Sequence, residues 1–109
     1  MKYKGEWVAN FDHVVEGTTF SNDLRIYSGN DLIPTDEFDD GFVYFGQVLD
    51  SPSVTGGMVA STAGHWSVDV EVGSTLDPYG YAYYSVVMNK GDYTYEVANG
   101  IVFVKKLFA

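Results

Sequence analysis

Tyr79-Gly80-Tyr81-Ala82-Tyr83-Tyr84-Ser85-Val86-Val87-Met88, then Asn89-Lys90-Gly91-Asp92, Tyr93-Thr94-Tyr95-Glu96-Val97-Ala98, Asn99-Gly100 and Ile101-Val102-Phe103-Val104-Lys105-Lys106-Leu107-Phe108, run on without a break. Aromatic and β-branched residues fill the long segments and turn formers fill the gaps. The stretch therefore predicts three β-strands joined by two turns. Asn99-Gly100 between alternating apolar runs is a strong hairpin signal, because a type I′ turn needs φ > 0 at both central residues. Asn89-Lys90-Gly91-Asp92 predicts a looser turn. The expectation is a C-terminal β-meander.

Upstream the same period recurs. Lys2–Val8 reads as a first strand. Across Gly17–Ser28, Phe20, Asn22, Leu24 and Ile26 alternate with Ser21, Asp23, Arg25 and Tyr27, which sets an apolar face against a polar one. Phe42–Leu49 is almost continuously apolar, as a strand buried on both faces would be. Ser51–Gly57, with a proline and two glycines, reads as a connection before Met58–Ser61. In His65–Val72, Trp66, Val68, Val70 and Val72 point one way. Helical periodicity never persists beyond one turn. The predicted core faces are Phe20/Leu24/Ile26, Val43/Phe45/Leu49, Trp66/Val68/Val70/Val72, Tyr93/Tyr95/Val97 and Ile101/Phe103. About seven short strands with regular turns predict an all-β chain, an antiparallel β-sandwich with that meander at its end. At 109 residues, 1–109 form a single domain.

Composition narrows the function classes. The formal net charge is −9, and ten of the 15 acids fall within residues 1–55. Nucleic-acid binders gain affinity by releasing counterions through basic contacts, so direct nucleic-acid binding is not expected. An acidic face at residues 31–50 that mimics nucleic acid would serve a basic target. With no cysteine, disulfides, thiolate metal sites and cysteine nucleophiles are excluded. Met-Lys-Tyr-Lys-Gly-Glu-Trp holds no apolar leader and no apolar run approaches about 18 residues, so cytoplasmic synthesis without membrane insertion is expected.

No catalytic or cofactor motif emerges. Asp36-Glu37-Phe38-Asp39-Asp40-Gly41 is the densest acidic cluster, but it lacks the spacing of a calcium loop. His65, Asp69 and a serine could be written as a triad, but no nucleophile elbow accompanies them. Gly56-Gly57 lacks the Lys-Ser/Thr and helix of a phosphate loop. No metal, cofactor or catalytic residue is expected. The tyrosines carry more promise. Tyr79, Tyr81 and Tyr83 share one face at spacing two, with Tyr84 on the other, and pairing with Tyr93 and Tyr95 across strands is expected. Exposed rings would anchor a protein interface, where Tyr and Trp are enriched, or stack on sugars together with Trp66.

The order Gly17-Thr18-Thr19-Phe20, Leu24-x-Ile26-Tyr27, Asp31-Leu32-Ile33-Pro34, Phe42-Val43-Tyr44-Phe45-Gly46-Gln47-Val48-Leu49, Gly91-Asp92-Tyr93-x-Tyr95-x-Val97 and Asn99-Gly100-Ile101-Val102-x-Val104 spans residues 17–104. It resembles the small immunoglobulin-like β-sandwich modules of tailed bacteriophage particles, nearest to the N-terminal domain of phage baseplate upper proteins and related head and tail accessory proteins. The resemblance implies an immunoglobulin-like fold and a non-enzymatic virion protein, made in the host cytoplasm. It further implies docking on capsid, neck or tail/baseplate subunits in many copies per particle, or self-association. Tyr79, Tyr81, Tyr83, Lys2, Lys4, Lys105 and Lys106 are the candidate interface residues. The alternative function is a carbohydrate-binding module for cell-surface glycans.

Overall fold

The computed structural model describes residues 2–48, 52–61 and 64–107. Among them run nine strands: β1 (Lys4–Trp7), β2 (His13–Val15), β3 (Thr19–Ser28), β4 (Asp31–Leu32), β5 (Asp40–Gly46), β6 (Val54–Ala60), β7 (His65–Glu71), β8 (Tyr81–Lys90) and β9 (Tyr93–Lys105). A 3-10 turn at Thr35–Glu37 precedes β5. Among the described residues no helix is long and apolar enough to cross a membrane.

The chain is all-β. Its strands follow the order β1-β3-β7-β6-β5-β8-β9-β2, with β4 added to β3. They form one curled, mixed sheet, and β2 runs parallel to β9 while the other pairs are antiparallel. Two of these strands, β2 and β4, are only three and two residues long, too short for a sequence pattern to mark them. The curl brings β1 against β9 and β2 against β3.

One strand serves both halves of the sheet. Val54–Gly57 pairs with β5, whereas Met58–Ala60 pairs with β7. The segment read from sequence as a connection is thus a strand from Val54 onward. Its two glycines misled the reading, and Gly56 marks a close approach rather than a loop. A Cβ at Gly56 would stand 2.5 Å from Val70 Cγ2, so only glycine lets β6 cross this close to β7.

The inward faces of β3, β5 and β7 are those expected. Leu24, Ile26, Val43, Phe45, Trp66, Val68, Val70 and Val72 are buried, joined by Ala82, Val86 and Met88 of β8. Each of these Val, Leu, Ile, Phe and Met side chains stabilises the fold by about 1.5–3 kcal/mol relative to exposure. Leu49, also expected in the core, lies outside the described residues. Leu76 pins the segment between β7 and β8 into the same cluster. That segment is clamped further by Gln47, whose Nε2 donates to the Asp77 carbonyl at 2.9 Å and whose Oε1 accepts from the Asp77 N–H at 2.7 Å.

The C-terminal meander is corrected to a single long hairpin. Lys90 stands opposite Tyr93, so the loop is the two residues Gly91-Asp92, with Gly91 at φ +58°. Asn99 and Gly100 are mid-strand, opposite Ser85 and Tyr84, and neither adopts a positive φ. Glycine is needed at 100 for another reason: the Tyr84 ring lies across it, with Cε1 2.7 Å from where a Cβ would be. An aromatic ring covering a cross-strand glycine holds the ladder together and leaves no call for a turn.

A bulge then reverses the faces of β9. Val86 pairs with Ala98 and Val87 with Glu96, which leaves Val97 as the extra residue. Before the bulge Tyr95 and Val97 point inward; beyond it Val102 and Val104 do, both buried. Ile101 is 60% exposed and Tyr93 69% exposed, and Phe103 is only half-buried. The expected face Tyr93/Tyr95/Val97 holds for Tyr95 and Val97 but not for Tyr93, which stands exposed beside the hairpin loop, and the expected face Ile101/Phe103 is corrected. A one-residue slip in a period-two pattern sends each later side chain to the opposite face.

The acidic segment before β5 closes over the hairpin tip. Phe38 is buried and meets Tyr3 edge-on at 5.0 Å. Asp39 Oδ2 accepts the Gly91 N–H at 2.8 Å, and Asp40 Oδ1 accepts from Asn89 Nδ2 at 2.7 Å. Lys90 Nζ donates to Glu37 Oε2 at 2.6 Å, and this bond holds the lysine pKa above its ordinary value. Three of the four acids thus have partners in the hairpin tip.

Candidate functional site

Pairing of β5, β8 and β9 assembles an outward face from residues far apart in the chain. Successive cross-strand rows read Tyr81–Phe103, Gly46–Tyr83–Ile101, Tyr44–Ser85–Asn99 and Phe42–Val87–Glu96. Tyr81 is 67% exposed and Tyr83 41% exposed. Tyr81 meets Phe103 edge-on at 5.5 Å, and the Phe42 and Tyr44 rings lie 6.4 Å apart. The result is a run of aromatic and aliphatic groups across three strands, with a polar group near its middle.

The outer face of the other half is different in kind. There Ser21, Asp23 and Arg25 of β3 lie beside Asp69, Ser67 and His65 of β7, interrupted by an exposed Val59. Ser21 Oγ donates to Asp69 Oδ1 at 2.6 Å. A shallow hollow of about 310 Å³ near Val8, Ser21 and Asp69 is edged by Asn22, whose Nδ2 donates to the Ala9 carbonyl at 2.7 Å. Its polar groups already serve the fold.

On the aromatic face, a trough of about 550 Å³ opens between Tyr44, Tyr83, Val48, Pro52 and Ile101. Small residues, Gly46 and Ser85, make room between the rings. Glu96 stands at its edge. Ser85 Oγ donates to Glu96 Oε2 at 2.6 Å and Asn99 Nδ2 to Glu96 Oε1 at 2.8 Å. The Ser85 bond, with that from Asn99, lowers the carboxyl pKa below its usual value. The trough therefore presents a fixed negative charge beside two tyrosines.

Of the residues singled out from sequence, Tyr81 and Tyr83 are on this face and Tyr84 points inward, as expected. Tyr79 precedes β8 and is 61% exposed. Its φ of +66° is the left-handed region, which a bulky residue seldom adopts. Its N–H donates to the Val104 carbonyl at 2.7 Å. The lysines are not gathered with the tyrosines into one patch: Lys4 lies on β1 opposite Tyr27, and Lys105 ends β9 opposite Val15. Lys2 and Lys106 are exposed. The expected pairing of Tyr81 and Tyr83 with Tyr93 and Tyr95 gives way to pairing with Phe103 and Ile101, because the strand is continuous. Trp66 is buried and drops out as a stacking surface.

Sequence reading missed Tyr44, Glu96, Ser85 and Asn99 as a group. Ser85 and Asn99 signalled only turn or strand filler, and it is the bulge at Val97 that brings Asn99 to the outward side shared by Glu96. Among the described residues no three His, Asp or Glu side chains are grouped to hold a metal ion. Asp69, written into the paper triad with His65, accepts its hydrogen bond from Ser21. Comparison with known proteins found no matching family, no matching curated protein and no matching solved structure.

Proposed function

We propose that the protein is a non-enzymatic docking module, a structural or accessory component of a bacteriophage particle, and that the outer face of β5, β8 and β9 is its contact surface. The observation that carries this is the contrast between the two outer faces: one largely polar, the other lined by Tyr81, Tyr83, Tyr44, Phe42, Ile101 and Phe103. Contiguous apolar surface of that kind is costly to leave in water and marks interaction sites. Rigid aromatic anchors are the side chains that dominate interface energies. The curled sheet, bent at β6, suits an immunoglobulin-like β-sandwich, and the resemblance in residues 17–104 supplies the particle. Capsid, neck or tail/baseplate subunits are the partners, met in many copies.

The test is incorporation. Tagged protein is expressed alongside the particle's other components, and purified particles are assayed for it. Incorporation at fixed stoichiometry is expected, with loss on Ile101→Asp or Tyr81→Asp while circular dichroism stays unchanged. Absence from particles, or undiminished incorporation of both charged variants, would sink the reading.

The second reading, a glycan-binding module, draws on the trough itself, where Tyr83 and Tyr44 flank the hydrogen-bonding groups Glu96 and Asn99. It requires glycan binding that Tyr83→Ala abolishes.

A further inference from the structure

We infer that the trough beside Glu96 is a socket for one arginine side chain of the docking partner. The carboxylate has about four lone-pair positions. Ser85 occupies one on Oε2 and Asn99 one on Oε1, so its plane is fixed and a position on each oxygen remains for a ligand. Two acceptors side by side are what a guanidinium fork recognises, whereas a lysine ammonium acts as a point charge. Tyr83 and Tyr44 line the trough, and aromatic rings are what a planar cation stacks on. Ile101, Val48 and Pro52 offer an apolar wall for its methylene stem.

Charge favours the same occupant. The protein carries a formal charge of −9, which attracts a basic partner and disfavours an acidic one. A second copy of this chain is a poor source. Its sole arginine, Arg25, is half-buried on the polar half of the sheet, with Nε shielded from solvent.

The inference rests on the docking reading only for where the arginine comes from. It is tested on the isolated protein by amide-shift titration with N-acetyl-arginine methylamide, with the lysine analogue and with galactose as comparison probes. Saturable shifts at Tyr83, Ser85, Glu96 and Asn99 are expected with the arginine probe, and binding about tenfold weaker with the lysine probe. Glu96→Gln and Tyr83→Leu, both at exposed positions, are each expected to weaken the arginine probe by about tenfold. Absence of saturable shifts with the arginine probe, equal lysine binding, or an unchanged Glu96→Gln response would overturn the socket. Saturation by galactose alone would overturn it in favour of the glycan reading. Particle incorporation that survives Glu96→Gln but not Ile101→Asp would remove the socket and leave the docking face standing. Arginine binding by a protein never found in particles would do the reverse.

Discussion

Tyr84 of β8 lies across Gly100 of β9, its Cε1 2.7 Å from the point a Cβ at position 100 would occupy. The ring also meets Phe11 at 5.6 Å, Trp7 at 6.1 Å and Phe45 at 6.2 Å, so it cannot swing aside without opening an aromatic cluster. Gly100→Ala is expected to cost about 1–3 kcal/mol, the range for forcing an extra methyl into packed surroundings. Urea unfolding measures it. In a Tyr84→Leu background the cost should shrink, because the atom that clashes is gone, and the double-mutant cycle reads the coupling directly.

Three other glycines rank themselves by what surrounds them. A Cβ at Gly56 would meet Val70 Cγ2 at 2.5 Å and the Asp69 carbonyl oxygen at 3.2 Å, both rigid. At Gly41 it would meet Met88 Sδ at 2.5 Å and Met58 Sδ at 2.7 Å, which are adaptable thioethers. Nothing lies within 4 Å at Gly57. Alanine is expected to cost most at 56, about 3 kcal/mol, and less at 41, about 1–2 kcal/mol. At 57 it should leave stability unchanged or raise it by up to about 1 kcal/mol. The order 57 > 41 > 56 in denaturation midpoints is the check.

Tyr79 holds φ +66° while its ring stands in solvent. A left-handed backbone costs an ordinary residue roughly 1–2 kcal/mol that glycine avoids. Tyr79→Gly is therefore expected to raise the melting temperature, equivalent to about 1 kcal/mol. If Tyr79 serves the docking face, the same variant should enter particles less well. A fall in melting temperature would mean that the exposed ring contributes more to the fold than its backbone strain costs.

Glu96 links stability to pH. Its folded-state pKa is lowered by the Ser85 and Asn99 hydrogen bonds. The stabilisation is therefore fully present above the unfolded value of about 4.3 and is lost as pH falls through the lowered folded value. Because the group is largely solvent-facing, the effect stays below about 1 kcal/mol. Glu96→Gln should lower stability by up to about 1 kcal/mol at neutral pH and change little at acid pH, where Glu96 is itself protonated, so that the acid limb flattens. An unaltered acid limb would show that the Ser85 and Asn99 bonds do not hold the ionised form.

The alternation in β3 and β7 was legible without a structure. In each, one face is apolar over at least three positions, and a period-two pattern of that length admits only one inward side. The inward side of β5 was read correctly for Val43 and Phe45, although Phe42 and Tyr44 on its other side line the aromatic face. The hairpin at Gly91-Asp92 was legible as a turn, since Gly91 supplies a positive φ. Asn99-Gly100 carried the stronger signal and misled, because a dipeptide able to turn does so only when the flanking residues gain more from pairing with each other. Here they gain more from pairing with β8. The site was legible in part: Tyr81 and Tyr83 by spacing, Glu96 and its hydrogen-bonding neighbours not at all.

The sequence by itself determined an all-β chain, the inward faces of the strands it marked most regularly, and an outward pair of tyrosines. These follow from side-chain direction alternating along a strand, which is local. Tertiary structure alone decided that Val97 is an extra residue, that Asn99 and Ile101 face outward beside Glu96, and that β6 serves both halves of the sheet. Each of those depends on which residue lies across the ladder, a partner on another strand whose ring or side chain sets the available space. For the same reason, the trough of Tyr44, Tyr83, Ser85, Glu96 and Asn99 exists only once three strands are side by side.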